Sequence, residues 1–466
     1  MNLIRIAIFN IKKKKSAAIA LTILILLASL FLNIGLNISS SISSFYNEKV
    51  EELHGAHYVA MFENNKYNPA YLDFFKNDDR VAEAETEEVI FMEQAGWTNS
   101  NNKEGKIPFF TVVQNIDRQN KLGGYKLIEQ VEVSDKEAIY LPVYFKGANY
   151  KLGDKLKIEY KNKEYTYTIA GFYETTVFGT INFGIFKVYL KEEAYENLYE
   201  RTGGAKLISA RMKSSDMSSL VAKDFEKAAK EMLTSTDSMQ TILARNYEET
   251  KMANTLMAQM MSVILVIFSI IIVAICLLVV RFRIRNDIEE NMQNIGTLSA
   301  LGYTSRQILT IYIIEFLLIA LVGILSGIIC SYAIMPVLSN SLTYLVGALW
   351  RNTVHLIIDI ETMISILLLV LIISYLAARA VKKYPPIVAF HGGIKAHNFK
   401  KNYFPLKKGI GNIHFKLSLK GFMSSLHQNI ITGTIIFCVT FATVFCTVLY
   451  FNFGQDYTAL RKDDWT

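Results

Sequence analysis

The sequence predicts an α-helical membrane protein of about five transmembrane helices, with an α+β extracytoplasmic domain inserted between helices 1 and 2. Three observations lead to that class. Of 466 residues, 51% are hydrophobic and 20% charged, with mean hydropathy +0.24, a mixture that suits spans plus a folded water-exposed domain. Apolar runs long enough to cross a hydrocarbon core of about 30 Å recur at 16–36, 260–280, 308–334 and 430–450, and a shorter one at 364–376 reaches that length with residues upstream. More than 200 residues of mixed composition separate the first run from the second.

A net charge of +7 admits nucleic acid as a partner, but the basic residues gather at the ends of the apolar runs. They are Lys12 to Lys15, Arg281, Arg283 and Arg285, Arg379, Lys382 and Lys383, and Lys400, Lys401, Lys407 and Lys408. That is the positive-inside pattern, so the charge is assigned to membrane topology and nucleic acid is not expected. It predicts a multi-pass protein of the cell membrane with a cytoplasmic N-terminus and the large domain outside. The apolar core at 16–36 exceeds that of a signal peptide and lacks a small-x-small cleavage site, which predicts an uncleaved anchor.

The expected layout follows the chain. A cytoplasmic amphipathic helix (1–15) leads into the first span (16–37), then the extracytoplasmic α+β domain with helical stalks (38–255). The second span (256–281), a cytoplasmic helix (282–306) and the third span (307–335) come next. An outer loop (336–354) precedes the fourth span (355–380), the shortest apolar run, which draws on residues upstream. A cytoplasmic linker with an amphipathic helix (381–429), a fifth span (430–452) and the start of a second outer segment (453–466) complete it. The stalks are placed at 38–54 and 247–260. All four cysteines, Cys276, Cys330, Cys438 and Cys446, fall in predicted spans, so the outer domain must hold itself without disulfides.

Within that domain HYVAMF reads as a strand, and NPAYLDFFKNDDRV as a helix with Asn68 as N-cap and Pro69 in the first helical position. IPFFTVVQNI, EAIYLPVYF, DKLKIEY, YTYTIAGFY and KLISARM are β-branched and aromatic runs bounded by turn residues. KEEAYENLYER and SSDMSSLVAKDFEKAAKEML have helical periodicity. The start and the end of the chain share a plan of amphipathic helix, polar hinge, span and polar exit, as transporter repeats do. Since the second copy stops soon after its span, the pattern predicts a longer permease or a second half supplied by another polypeptide.

Residues 284–301 place Ile288, Met292, Ile295, Leu298 and Leu301 on one helical face. Gly302 suits the left-handed position that ends a helix, and Thr304 with Gln307 forms a capping box that starts the next one. This predicts an amphipathic helix joined rigidly to the third span, either lying on lipid headgroups or docking a partner.

The pattern Asn294-Ile295-Gly296, then Ala300-Leu301-Gly302, Thr304, Ile308 and Glu315 resembles the FtsX/MacB-type ABC transporter permeases. NLIRIAIFNIKKKKSAA is similar to that family's N-terminal amphipathic helix, LAARAVKKYPPIVAF to its segment after a span, and YKLGDKLKIEYKNKEYTYTIAGFYE to a hairpin of its outer domain. Asn294 stands where the family commonly has an acidic residue. The resemblance implies that the helix carrying Ile288, Met292, Asn294, Ile295, Gly296, Leu298, Ala300, Leu301 and Gly302 docks on a separate ATPase, a subunit dimer. Its closing and opening would drive the outer domain mechanically. It also implies a second permease half or copy, membrane lipids, and an outer partner such as a peptide, lipid or lipoprotein-like substrate or a cell-wall enzyme.

No G-x-x-x-x-G-K-[ST] loop occurs, so no cofactor is expected in this chain, and ATP and Mg would be bound by the partner ATPase. No nucleophile, base and orienting group can be assembled, and an enzyme is not expected. Glu315, early in the third span, is expected to meet the amphipathic helix or a basic group. Gly323 and Gly327 are spaced for close helix packing. His54 and His57 read as solvated surface histidines rather than metal ligands, and Asp359 and Glu361 as interfacial. Two other readings stay open, an FtsX-like regulator of a cell-wall hydrolase and a membrane sensor or scaffold without transport.

Overall fold

The computed structural model describes residues 2–99, 107–118, 120–232 and 241–379, with a few isolated positions after 417. The linker predicted at 381–429, the fifth span at 430–452 and the segment 453–466 lie almost wholly outside the described residues. The chain begins with α1 (Asn2–Lys13), α2 (Lys15–Glu52), β1 (Tyr58–Glu63), α3 (Pro69–Asn77), β2 (Val81–Asn99) and β3 (Ile107–Asn115). It continues with β4 (Tyr125–Gln130), β5 (Ala138–Pro142), α4 (Tyr144–Gly147), β6 (Lys155–Tyr160), β7 (Lys163–Thr175), β8 (Ile185–Leu190) and α5 (Glu192–Thr202). Then follow β9 (Ala205–Met212), α6 (Ser218–Met232), β10 (Leu243–Asn246), α7 (Tyr247–Glu290), α8 (Met292–Ala300), α9 (Ser305–Val346) and α10 (Leu356–Ala378).

Two compact units result, one of Met1–Leu36, Ile264–Ala333 and the chain from His355, the other of Asn37–Val263 and Ile334–Val354. In the first unit α2, α7, α9 and α10 are each long and apolar enough to cross a membrane. They share a core that includes Ile25, Val273, Ile284, Phe316, Ile324, Ile366 and Val370, while Ile357, Ile364 and Leu368 of α10 stay exposed. An apolar outer face is what lipid contact requires. The glycine pair decides how closely α9 meets α2. A Cβ on Gly323 would lie 2.9 Å from Ile25 Cβ, and one on Gly327 would overlap Ser29 Oγ and the Leu26 carbonyl, so only glycine permits this approach.

In the second unit α3 and α6 cover one face of the antiparallel run β10-β1-β9-β2, with Phe75 and Phe225 at 4.7 Å in the core between them. Asn68 caps α3 through a 3.0 Å bond from the Ala70 N–H, as its sequence predicts. Strand β2 is long enough to serve twice. Its second half belongs to a closed circuit of six strands, β2-β3-β8-β5-β7-β6 and back to β2, with β3·β8 and β5·β7 parallel. Trp97 fills that barrel, stacked on Phe145 at 5.0 Å, its indole N–H donating to Thr111 Oγ1 at 3.1 Å.

Three expected boundaries change. The outer loop at 336–354 is mostly helix, because α9 continues through Pro336 to Val346 and stops at Gly347, with φ +76°, a value glycine tolerates. Residues 334–354 accordingly fold with the sheet unit. The strand expected over EAIYLPVYF ends at Pro142, and Tyr144 and Phe145 form a helical turn instead. The single helix expected at 282–306 is two, since α7 runs on to Glu290 and α8 begins at Met292. Asn291, with φ −103° and ψ 24°, marks the break, and its side-chain amide donates at 2.9 Å to the Asp287 carbonyl that its own N–H also reaches at 3.1 Å, a back-bonding that bends a helix.

Candidate functional site

The helix α8 lies on the end of the four-helix core. Ile288, Met292, Ile295 and Gly296 are buried and Leu298 half-buried, with Ile288, Ile295 and Leu298 packed in one cluster with Ile308 and Tyr312. Leu301 departs from the expected face. It is 73% exposed, and with Asn294, Ala300 and Gly302 it forms the open side. A helix that merely floated would not bury this stripe in protein, so one face is anchored and the other presented.

The join to α9 is built as expected. Gly302 has φ +95°, and the Tyr303 N–H bonds the Leu298 carbonyl at 3.0 Å, which closes the helix end. The Thr304 N–H donates to Gln307 Oε1 at 2.8 Å and the Gln307 N–H to Thr304 Oγ1 at 3.3 Å, the reciprocal capping box.

Beneath this element a polar cluster ties three helices. Lys14 Nζ lies 2.5 Å from Asp287 Oδ1, which Arg283 also reaches at 3.3 Å. Asn10 donates to Glu315 Oε2 at 3.3 Å. Glu315 is therefore held by the N-terminal amphipathic helix. Asp287 and Glu315 are both buried, and a buried carboxylate needs such partners. Asp287 shares the stripe of Ile284 and Ile288, and a charge on an apolar stripe is the signal that would have found it.

A second polar set crosses α2, α9 and α10. Asn33 donates to Asp359 Oδ1 at 2.7 Å, Tyr332 to Asp359 Oδ2 at 2.8 Å, and Ser331 to Asn33 Oδ1 at 2.7 Å. Asp359, expected simply to be interfacial, is an interhelical acceptor in the first turn of α10, while Glu361 is exposed. Ser29, Asn33, Asn37 and Ser41 all lie buried at four-residue spacing, a polar stripe on an apolar helix that sequence reasoning passed over.

In the sheet unit the outer segments of α2 and α7 are fastened to the sheet. Lys49 Nζ pairs with Glu174 Oε2 at 2.9 Å, both buried, and the same oxygen accepts the Leu349 N–H at 2.8 Å. Asn254 donates to the Thr176 carbonyl at 2.7 Å, where Tyr46 also donates at 3.0 Å. Tyr247 donates to Asn47 Oδ1 at 2.7 Å. Arg211 caps the end of α2, bonding the Gly55 carbonyl at 2.6 Å and pairing with Glu51. His57 is buried here, a correction to its expected surface place. Its Nδ1 accepts the Met212 N–H at 3.2 Å, and burial lowers its pKa to about 4. His54 is exposed and meets Glu83 at 3.2 Å, so the two histidines do not converge. Among the described residues no group of three His, Cys, Asp or Glu could hold a metal.

Four helices long and apolar enough to cross a membrane, a sheet domain carried between the first two of them, and an anchored helix before the third define a multi-pass membrane protein. Residues 266–386 match the family described as FtsX-like permease C-terminal, about a quarter of the chain, including α8, the capping box, Glu315 and both packing glycines. No curated protein matches the chain. Among solved structures, it is similar to the periplasmic region of MacB from Actinobacillus actinomycetemcomitans, at 11% identity and TM-score 0.23 over 43% of this chain and 94% of that one. It is also similar to a domain described as a permease protein's, from Porphyromonas gingivalis, at 16% identity and TM-score 0.21 over 39% and 84%.

Proposed function

We propose that this chain is the permease subunit of an ABC transporter, coupling ATP hydrolysis by a separate ATPase subunit dimer to motion of an extracytoplasmic domain. The observation that carries the reading is the FtsX-like match over the very segment in which α8 buries one face and leaves Leu301 exposed. In this reading the ATPase docks on Asn294, Ala300, Leu301 and Gly302, from the cytoplasm, and supplies the ATP and Mg chemistry. The chain itself is no enzyme. Asn294 offers the ATPase a neutral hydrogen-bonding group, with no ionic contact.

The chain enters the sheet domain through α2 and leaves it through α7, each continuous with an apolar span. A helix transmits displacement along its axis because its hydrogen bonds are internal. Motion started at α8 would reach the outer stalks that way. The work done outside would be export or extraction of a peptide, lipid or lipoprotein-like substrate.

The test is copurification of an ATPase with the tagged chain, wild type against Leu301→Glu. Leu301 is exposed, so its charge substitution leaves folding intact and should abolish recovery of the ATPase. Recovery of no ATPase with the wild-type chain, together with no ATP-dependent phenotype, would favour a sensor or scaffold instead.

A further inference from the structure

The sheet domain holds an open cleft. Phe91 on β2 and Phe110 on β3 stack with ring centroids 6.2 Å apart and 6° between planes. Phe183, Ile185 and Ile242 extend this apolar floor, and Glu63 and Glu93 stand at its edge, around a volume of about 450 Å³. Phe183 and Ile185 belong to the packed core, whereas Phe91, Phe110 and Ile242 are only partly covered by it. A Cβ placed on Gly184 would meet no atom within 4 Å, so the cleft is open there.

The edge is shaped by a bulge. The β2·β3 register slips between Met92 and Ala95, and Gln94 takes φ +52°. Bulges of this kind re-aim side chains out of the ladder, and Glu93 lies in the slipped step. The other carboxylates of β2 are all engaged. Glu83 meets His54, Glu85 accepts the Leu122 N–H, Glu87 accepts from Gln114 and Asn120, and Glu88 pairs with Lys206. Glu93 and Glu63 are exposed and have no basic partner among the described residues.

Two uncompensated carboxylates beside stacked aromatic faces attract a cation by charge and by ring quadrupole. The apolar floor adds burial of hydrocarbon, and the volume falls in the range of small-ligand clefts. We propose that this cleft binds an amphipathic cation, an ammonium or guanidinium group adjoining an aromatic or branched apolar group. A free arylalkylamine has that chemistry, and so does a Lys or Arg beside an apolar residue in a peptide. Binding needs no nucleotide and no partner, so it stands apart from the ATPase-coupling reading.

The full chain in nanodiscs of zwitterionic lipid is titrated by calorimetry with phenethylammonium, with lysyl-phenylalanine amide, and with the fully acetylated dipeptide. Saturable heat with either cation is expected, weakened about tenfold or more in the E63Q/E93Q variant and in about 0.5 M salt. Heat with both assigns the site to the bare amine chemistry, and heat with the dipeptide alone assigns it to peptide. Both substituted positions are exposed, and unchanged thermal melting verifies that the variant is folded. Phe110→Ala should weaken binding as well. Equal heats for wild type and E63Q/E93Q, equal binding of the acetylated dipeptide, or no heat with either cation overturns the proposal.

Discussion

Lys14 and Asp287 meet at 2.5 Å, joining the hinge after α1 to the stripe of α7 that α8 extends. The Asp287 carboxylate is 3% exposed, so it depends on Lys14 and Arg283 for compensation. Removing Lys14 with Lys14→Met leaves a buried charge with one partner fewer, at a cost of roughly 1–3 kcal/mol. Thermal unfolding of the purified chain should show the loss, with Asp287→Asn in the same background recovering part of it. A Lys14→Met protein as stable as wild type would show the pair to be dispensable.

Gly327 admits no side chain, because the added atom would overlap Ser29 Oγ and the Leu26 carbonyl. Gly327→Ala should destabilise the helical unit by about 1–3 kcal/mol, the usual range for overpacking. Gly323→Ala should cost less, its nearest obstacles being the Ile25 side chain at 2.9 Å and the Thr22 carbonyl at 3.0 Å. Detergent-denaturation midpoints rank the two, and the reverse order would contradict this packing.

Lys49 and Glu174 form a buried pair. Lys49→Met alone leaves the carboxylate uncompensated and should cost about 3–5 kcal/mol, whereas Lys49→Met with Glu174→Leu removes both charges and should cost less. A double-mutant cycle on stability reads the difference. Additive effects would mean that the pair contributes no coupling.

His57 makes the sheet domain sensitive to acid. Its pKa falls from the ordinary 6.5 to about 4 because burial disfavours the imidazolium. Above about 6.5 both folded and unfolded states hold it neutral, and stability is fully present. As pH falls toward about 4 the unfolded state takes up the proton first, so stability declines by at most about 1.4 kcal/mol per pH unit in that window. Protonation would also remove the acceptor of the Met212 N–H. The His57→Gln variant should lose this slope in melting curves collected from neutral to acidic pH, and an unchanged slope would assign it to other groups.

Much of this molecule was legible in one dimension because its signals are local. The Asn68 cap, the Gly302 stop and the Thr304–Gln307 box depend on residues within a turn of one another, and each forms as expected. Apolar run length located α2, α7 and α9, and α10 once the residues upstream of its short run were added. The helical face drawn through Leu301 failed because repeated steps of three residues drift round a helix of 3.6 residues per turn, so Leu301, nine residues after the buried Met292, comes out on the opposite, exposed side. Strand β2 escaped notice because its carboxylate-rich first half breaks the apolar pattern. Those carboxylates find their partners on neighbouring strands and loops distant in sequence, at Lys206, Gln114, Asn120, Leu122 and His54.

By itself the sequence determined that the chain spans a membrane, that a folded domain lies between the first two apolar helices, and how the helix before the third span is capped. Hydration cost and backbone geometry act over a few residues, so composition and spacing suffice for them. Only the tertiary structure decided which polar groups are buried together. Asn10 with Glu315, Lys14 with Asp287, Asn33 with Asp359 and Lys49 with Glu174 are each more than a hundred residues apart. A buried charge is tolerated only where a partner arrives in space, and no spacing along the chain encodes that arrival.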